Sequence, residues 1–235
     1  MRKHVKRALT SLLKRYNYRL VPNNFTIWPL EDKEFQTIFR EQAAFGWSDV
    51  SGPKIERMYK VFQLLELVRN VEGDWAECGV FKGSTAYLMG SRMKSFSKHN
   101  RIYLFDSFQG LSAIDSADAG TFMRETDYHC DQKTVERNLS RYNNYEFMAG
   151  WIPSRFPEVS GKVFSFVHID VDLYHPVKQS LEFFIPRLVD GGIIVMDDYG
   201  FDGTPGAFKA LNEFELSDYT LWKLPYGQAA LIKHS

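Results

Sequence analysis

The stretch Asp74-Trp75-Ala76-Glu77-Cys78-Gly79-Val80-Phe81-Lys82-Gly83-Ser84-Thr85 decides the fold: an acid-ended apolar run meets glycines spaced for a tight turn into a helix. Glycine's missing side chain lets a ligand approach the backbone closely, and the Glu77 carboxylate can accept hydrogen bonds from an ammonium or hydroxyl group. Taken alone, the pattern is equally a plain strand-to-helix turn shaped by Gly79 and Gly83. Outward from it, short apolar runs alternate with amphipathic helical ones, the signature of a largely parallel sheet with crossover helices. Strands are predicted at 74–78, 101–106, 145–149, 163–170, 192–197, 219–224 and 228–233. The last two flank Pro225-Tyr226-Gly227 with no helical segment between them. The result is a seven-stranded, mostly parallel α/β sheet with helices on both faces, closed by an antiparallel hairpin.

Upstream, helices are predicted over 33–45 and over 54–70, where Ile55, Met58, Tyr59, Phe62, Leu65 and Val68 recur at helical spacing. Pro22, Pro29 and Asn23-Asn24 mark a linker, which divides the chain into residues 1–30 and a main domain over 31–235. In the first segment Val5, Leu9, Leu12, Leu13 and Tyr16 form an apolar helical stripe among lysines and arginines. Such a helix suits an anionic membrane surface, a partner, or simple packing on its own domain.

The first 30 residues hold seven Lys/Arg and no Asp/Glu, so the remainder carries 22 basic against 29 acidic side chains. An acidic body is unsuited to wrapping nucleic acid. Cys78 and Cys130 lack metal-ligand spacing, which argues against a disulfide framework or a zinc site. No apolar run reaches membrane-spanning length, and the basic start lacks the apolar block of a secretory signal; the expectation is a cytoplasmic protein, with peripheral contact at the inner face of the membrane through residues 1–20 as the alternative. Homo-oligomerisation is left open.

Two further acidic sites carry chemistry. Strand 101–106 ends at Asp106, about where an acid in a nucleotide fold meets ribose hydroxyls. The glycine spacing is not that of a dinucleotide fold and no phosphate-cradling lysine loop occurs, so an adenosyl ligand without phosphates suits the turn better. Then Val167-His168-Ile169-Asp170-Val171-Asp172-Leu173-Tyr174-His175-Pro176 and Gly191-Gly192-Ile193-Ile194-Val195-Met196-Asp197-Asp198-Tyr199 each end a strand in paired carboxylates. Ligands bind beyond the carboxyl ends of such strands, and four acids converging there would repel one another without a cation. Carboxylate oxygens select a hard ion, Mg²⁺ or Mn²⁺. One of the acids, Asp172 or Asp198, can instead cap the following helix.

These residues resemble the macrocin O-methyltransferase (TylF-like) family, class I S-adenosylmethionine-dependent methyltransferases acting mainly on sugar hydroxyls of natural products. The resemblance covers roughly residues 54–232. It rests on the Glu77–Ser84 turn, Asp106-Ser107-Phe108-Gln109-Gly110-Leu111, His168–Tyr174, and Phe184–Gly192 leading to Asp197-Asp198-Tyr199-Gly200. It implies Asp170, Asp197 and Asp198 as metal ligands and Asp172 as general base. It further implies Glu77, Gly79 and Ser84 around the methionine part of S-adenosylmethionine, Asp106 at the ribose, and Gly150 and Trp151 at the adenine. Gly83, Ser107 and Asp170 are counted with the cofactor-binding residues.

The expected reaction is in-line transfer of a methyl group to a hydroxyl of a sugar, a glycosylated metabolite or a polysaccharide precursor. His175 is the fallback base, His168 is read as a packed core histidine, and Trp151 is alternatively core. Residues 107–130, with Phe122, Met123, Arg124, Tyr128 and His129, are expected to form a lid that selects the acceptor. The rivals are a D-x-D metal-dependent glycosyltransferase using a nucleotide-sugar through Asp170-Val171-Asp172, and a non-catalytic metal-binding module. An aspartyl phosphatase is disfavoured by motif position, and a dehydrogenase by glycine spacing and the closing hairpin.

Overall fold

The computed structural model describes residues 27–45 and 53–234, so the basic helix predicted in residues 1–20 lies outside the described residues. The amino-terminal helices are α1 (Trp28–Glu31), α2 (Lys33–Glu41, followed by a 3-10 turn over Gln42–Phe45) and α3 (Pro53–Leu67). Asp32 starts α2 by accepting a hydrogen bond from Phe35 N at 3.0 Å, which satisfies one of the donors a helix start leaves free. Strands and helices then alternate: β1 (Asp74–Cys78), α4 (Ser84–Ser95), β2 (Ile102–Asp106), α5 (Gln132–Leu139), β3 (Tyr145–Ala149), β4 (Phe164–Ile169), α6 (Tyr174–Phe184), β5 (Leu188–Met196), α7 (Pro205–Leu211), β6 (Tyr219–Lys223) and β7 (Ala229–Lys233).

The sheet order is β3-β2-β1-β4-β5-β7-β6. The ladders joining β1 to β5 are parallel. β7 runs antiparallel between β5 and β6, the predicted closing hairpin. One prediction needs adjusting: β5 begins at Leu188 rather than 192, because Phe164 pairs with Leu188 and Phe166 with Ile193, and the Gly191-Gly192 pair rides in the resulting bulge. The helix predicted over 54–70 ends at Leu67 and a turn closes it.

Strand periodicity sorts side chains between two cores. Trp75, Phe166, Ile193 and Val195 face α2, α3 and α4, whereas Ala76, Cys78, Ile169, Ile194 and Met196 face α6 and α7. Each fully buried large side chain such as Trp75 or Phe166 contributes about 1.5–3 kcal/mol of transfer free energy. The same alternation carries the chemistry. Glu77 follows Trp75 by two residues, His168 follows Phe166 by two, and Asp197 follows Val195 by two. All three thereby turn toward the α3 side at the carboxyl ends of adjacent strands. Among the described residues, no helix is long and apolar enough to cross a membrane.

Candidate active site

A cavity of about 570 Å³ opens at the carboxyl ends of the parallel strands. Glu77, Gly79, Ser84, Asp106, Ser107, Trp151, Asp170, Asp172, Asp197 and Asp198 all line it. Gly83 and Gly150 are not among the lining residues. A Cβ at Gly83 would meet Leu139 and Val135 of α5 at 3.2 Å, and one at Gly150 would meet Ser154 Oγ at 2.8 Å, so both shape neighbouring turns.

Gly79 is where the sequence has least freedom. Its φ is +83°, and a Cβ there would stand 1.9 Å from the Asp170 carbonyl oxygen, so no larger residue fits while β1 and β4 end so close together. Asp170 N donates to Cys78 O at 2.9 Å, which locks that approach, and Gly79 N donates to Phe105 O of β2 at 2.9 Å on the other side. Asp106 finishes the turn. Its Oδ2 accepts from Val80 N at 2.7 Å and Phe81 N at 3.0 Å, and its Oδ1 accepts from Phe108 N at 2.7 Å. The carboxylate expected at a ribose thus also holds the backbone of the glycine turn.

The acids converge at the other end. Asp170 and Asp198 lie within hydrogen-bonding reach of each other. Asp172 sits at φ +57°, an unusual backbone for a non-glycine residue, directly between β4 and α6. Burial, then the Asp170 charge, pushes its carboxyl up to about 8. Burial and the neighbouring acids also raise Asp170, and lift Asp198 well above the usual carboxylate range. Against the upward push of burial, His168, Arg57 and Gln228 hold Asp197 below it.

Two of those partners escaped the sequence reading. His168 is a core residue as expected, but both its ring nitrogens meet acids: Nδ1 is 3.1 Å from Glu77 Oε1 and Nε2 is 3.0 Å from Asp197 Oδ1. Although burial opposes it, Asp197 and Glu77 raise the imidazole's pKa well above the ordinary histidine value. Burial pushes Glu77 up to about 7 despite His168. Arg57, from the face of α3 that amphipathic patterning assigns to solvent, brings Nη1 to 3.7 Å from Asp197 Oδ2 and 3.5 Å from Asp198 Oδ1. No local sequence pattern announces either contact: Glu77 meets His168 only through the β1–β4 register, which pairs the two directly.

Does the donor set suit a divalent cation? His168, Asp170 and Asp197 each offer a ligand atom, all within 4.8 Å of one another. Both His168 nitrogens are engaged by carboxylates, which leaves the oxygens of Asp170, Asp197 and Asp198 as the better donors. Asp198 Oδ2 is buried with no hydrogen-bond partner among the described residues, and Glu77 Oε2, two residues before Gly79, is in the same condition. Unsatisfied buried carboxylate oxygens facing a cavity fit bound groups that are cationic or donate hydrogen bonds.

The 107–130 segment covers the cavity with Leu111, Met123 and Tyr128. It is pinned at several points: Asp118 Oδ1 accepts from Tyr174 N at 2.8 Å, Thr121 Oγ1 donates to Gly203 O at 2.7 Å, and Asp115 ion-pairs with His175. Phe122 stays 64% exposed and meets Phe201 edge to face at 5.8 Å. Arg124 and His129 are not among the lining residues.

Known proteins resemble this chain in sequence and in fold. The 8-demethyl-8-(2,3-dimethoxy-alpha-L-rhamnosyl)-tetracenomycin-C 4'-O-methyltransferase of Streptomyces olivaceus is 25% identical over 211 residues, covering 84% of this chain and 78% of its own. The demethyldecarbamoylnovobiocin O-methyltransferase of Streptomyces niveus is 27% identical over 158 residues, covering 62% of this chain and 60% of its own. The solved O-methyltransferase NovP superposes with a TM-score of 0.69 at 23% identity, covering 77% of this chain and 81% of that one, a likeness of fold. Residues 31–218 match the family described as Macrocin-O-methyltransferase (TylF). The chain therefore belongs to the macrocin O-methyltransferase family and is an S-adenosylmethionine-dependent O-methyltransferase.

Proposed function

We propose that this enzyme transfers the methyl group of S-adenosylmethionine to a sugar hydroxyl of a glycosylated small molecule, assisted by a divalent ion. The observation that carries the reading is the gathering of Asp170, Asp172, Asp197 and Asp198 in one cavity that the Gly79 turn also lines. The rhamnosyl acceptor in the name of the Streptomyces olivaceus relative supports a sugar.

Glu77 Oε2 and Ser84 would receive the methionine end of the donor, with Ser107 and Asp106 toward the ribose and Trp151, 41% exposed at the cavity wall, toward the adenine. Asp170, Asp197 and Asp198 would hold Mg²⁺ or Mn²⁺, a Lewis acid that lowers the pKa of an acceptor hydroxyl. Asp172 would take the hydroxyl proton as the acceptor oxygen bonds the methyl carbon and the carbon–sulfur bond breaks. Its elevated pKa suits a base of this kind, and its left-handed backbone stands at a cavity-lining position just before α6. Residues 31–235 are read as the catalytic domain, which the family match over 31–218 supports.

The test is methyl transfer from S-adenosylmethionine to a panel of rhamnosylated and other glycosylated acceptors, with and without chelator. Transfer that needs Mg²⁺ or Mn²⁺ is expected. Full turnover in chelator would remove the ion from the mechanism, and transfer confined to acceptors without sugars would remove the sugar.

A further inference from the structure

We propose that Arg57 is a built-in counter-cation that weakens the grip of the acid cluster on a divalent ion; this rests on the reading that Asp170, Asp197 and Asp198 hold such an ion. Arg57 is anchored away from the acids. Its Nε donates to Tyr226 O in the β6–β7 turn at 2.8 Å, and its guanidinium lies 5.8 Å from the centre of the Phe201 ring. Gln228 ties the same two partners together, donating to Asp197 Oδ1 at 2.7 Å and to Arg57 O at 3.3 Å.

Those anchors hold the charge beside the acids without letting it saturate them. Nη1 stays 3.5 Å from Asp198 Oδ1 and 3.7 Å from Asp197 Oδ2, longer than a charge-assisted hydrogen bond, and Asp198 Oδ2 keeps no partner among the described residues. In the metal-free protein the guanidinium offsets part of the mutual repulsion of four carboxylates. Once a divalent ion binds, the same positive charge a few ångströms away repels it. Coulomb repulsion at that range outweighs the positional help of two loose ion pairs, so the net effect of Arg57 is weaker binding. A site tuned this way exchanges its ion more readily than the bare carboxylates would.

The experiment compares the parent protein with Arg57→Gln and Arg57→Lys, reading Mn²⁺ affinity by calorimetric titration and Tm with and without Mn²⁺. Arg57→Gln should bind Mn²⁺ at least about ten-fold more tightly than the parent and gain more Tm from it, while starting from a lower metal-free Tm. Arg57→Lys, which keeps the charge, should stay close to the parent affinity. If Arg57→Gln is recovered only with Mn²⁺ present, the same affinity is read by competition with a chelator. Equal or weaker binding by Arg57→Gln beside a parent that binds would overturn the proposal, as would tightening by Arg57→Lys to the same degree. Absence of Mn²⁺ binding by all three proteins at millimolar concentration would instead sink the metal reading itself.

Discussion

His168 Nδ1 stands 3.1 Å from Glu77 Oε1 across the β1–β4 ladder, so a buried imidazole held toward its charged form faces a carboxyl group that lines the cavity. Its other nitrogen reaches Asp197, and one ring thereby neutralises acids from both ends of the site. Removing it leaves two buried carboxylates without their partner. His168→Ala should cost about 3–5 kcal/mol in urea unfolding at neutral pH, and a loss under 1 kcal/mol would show that the ring is mere filler.

Asp172→Asn keeps the shape of the side chain and removes its basicity. Turnover should fall by about 10²–10⁴-fold while calorimetric binding of S-adenosylmethionine stays within about two-fold of the parent. Turnover that survives would transfer the role of base to another group.

The raised acids fix a sign for pH. Asp172, at about 8, and Glu77, at about 7, keep protons in the folded protein that the unfolded chain has already released above its ordinary carboxylate range. The folded state then binds more protons, so metal-free stability should decline as pH rises from about 5 to about 8. His168, raised by Asp197 and Glu77 against burial, acts in the same direction above the ordinary histidine range, where the unfolded chain has lost a proton that the folded ring still keeps, whereas the lowered Asp197 matters only in acid, below this window. Saturating Mg²⁺ should flatten the slope. A metal-free Tm that climbs across this range would contradict the assignment.

At the glycine corner, Gly79→Ala forces a side chain to φ +83° against the Asp170 carbonyl. A loss of roughly 2–4 kcal/mol is expected, together with weakened S-adenosylmethionine binding in whatever protein still folds. Thermal melts with and without the donor measure both.

Phe122 is exposed and packs edge to face on Phe201, which lines the cavity. Phe122→Ala should leave stability within about 1 kcal/mol and raise the acceptor KM several-fold with little change in kcat, because it removes binding surface distant from the reacting atoms. A selective fall in kcat would instead tie the segment to chemistry.

The positions of the strands, the closing hairpin and the acid cluster were legible because each depends on local pattern: alternation within a strand, a turn too short for a helix, and carboxylates at strand ends. Family membership then removes the glycosyltransferase and the non-catalytic module, both suggested by Asp170-Val171-Asp172 in isolation. What stayed hidden depends on register and on distance along the chain. Arg57 reaches acids 140 and 141 positions later, from a helix face that reads as solvated. His168 looks like any polar residue in an apolar strand until its Glu77 neighbour is known. Asp106 reads as a ligand-facing acid, and only the three backbone groups it accepts from disclose its second task. The β5 start was obscured because a glycine pair normally ends a strand, and here it occupies a bulge within one.

The pressure of the Asp170 carbonyl on the space above Gly79 has a practical result for anyone altering this enzyme. The glycine turn and the Asp170 backbone meet along a seam less than one methyl group wide. Enlarging the seam would displace Asp170 in the same stroke, so redesign of the proposed donor pocket starts better from Trp151, which lines the cavity and is 41% exposed.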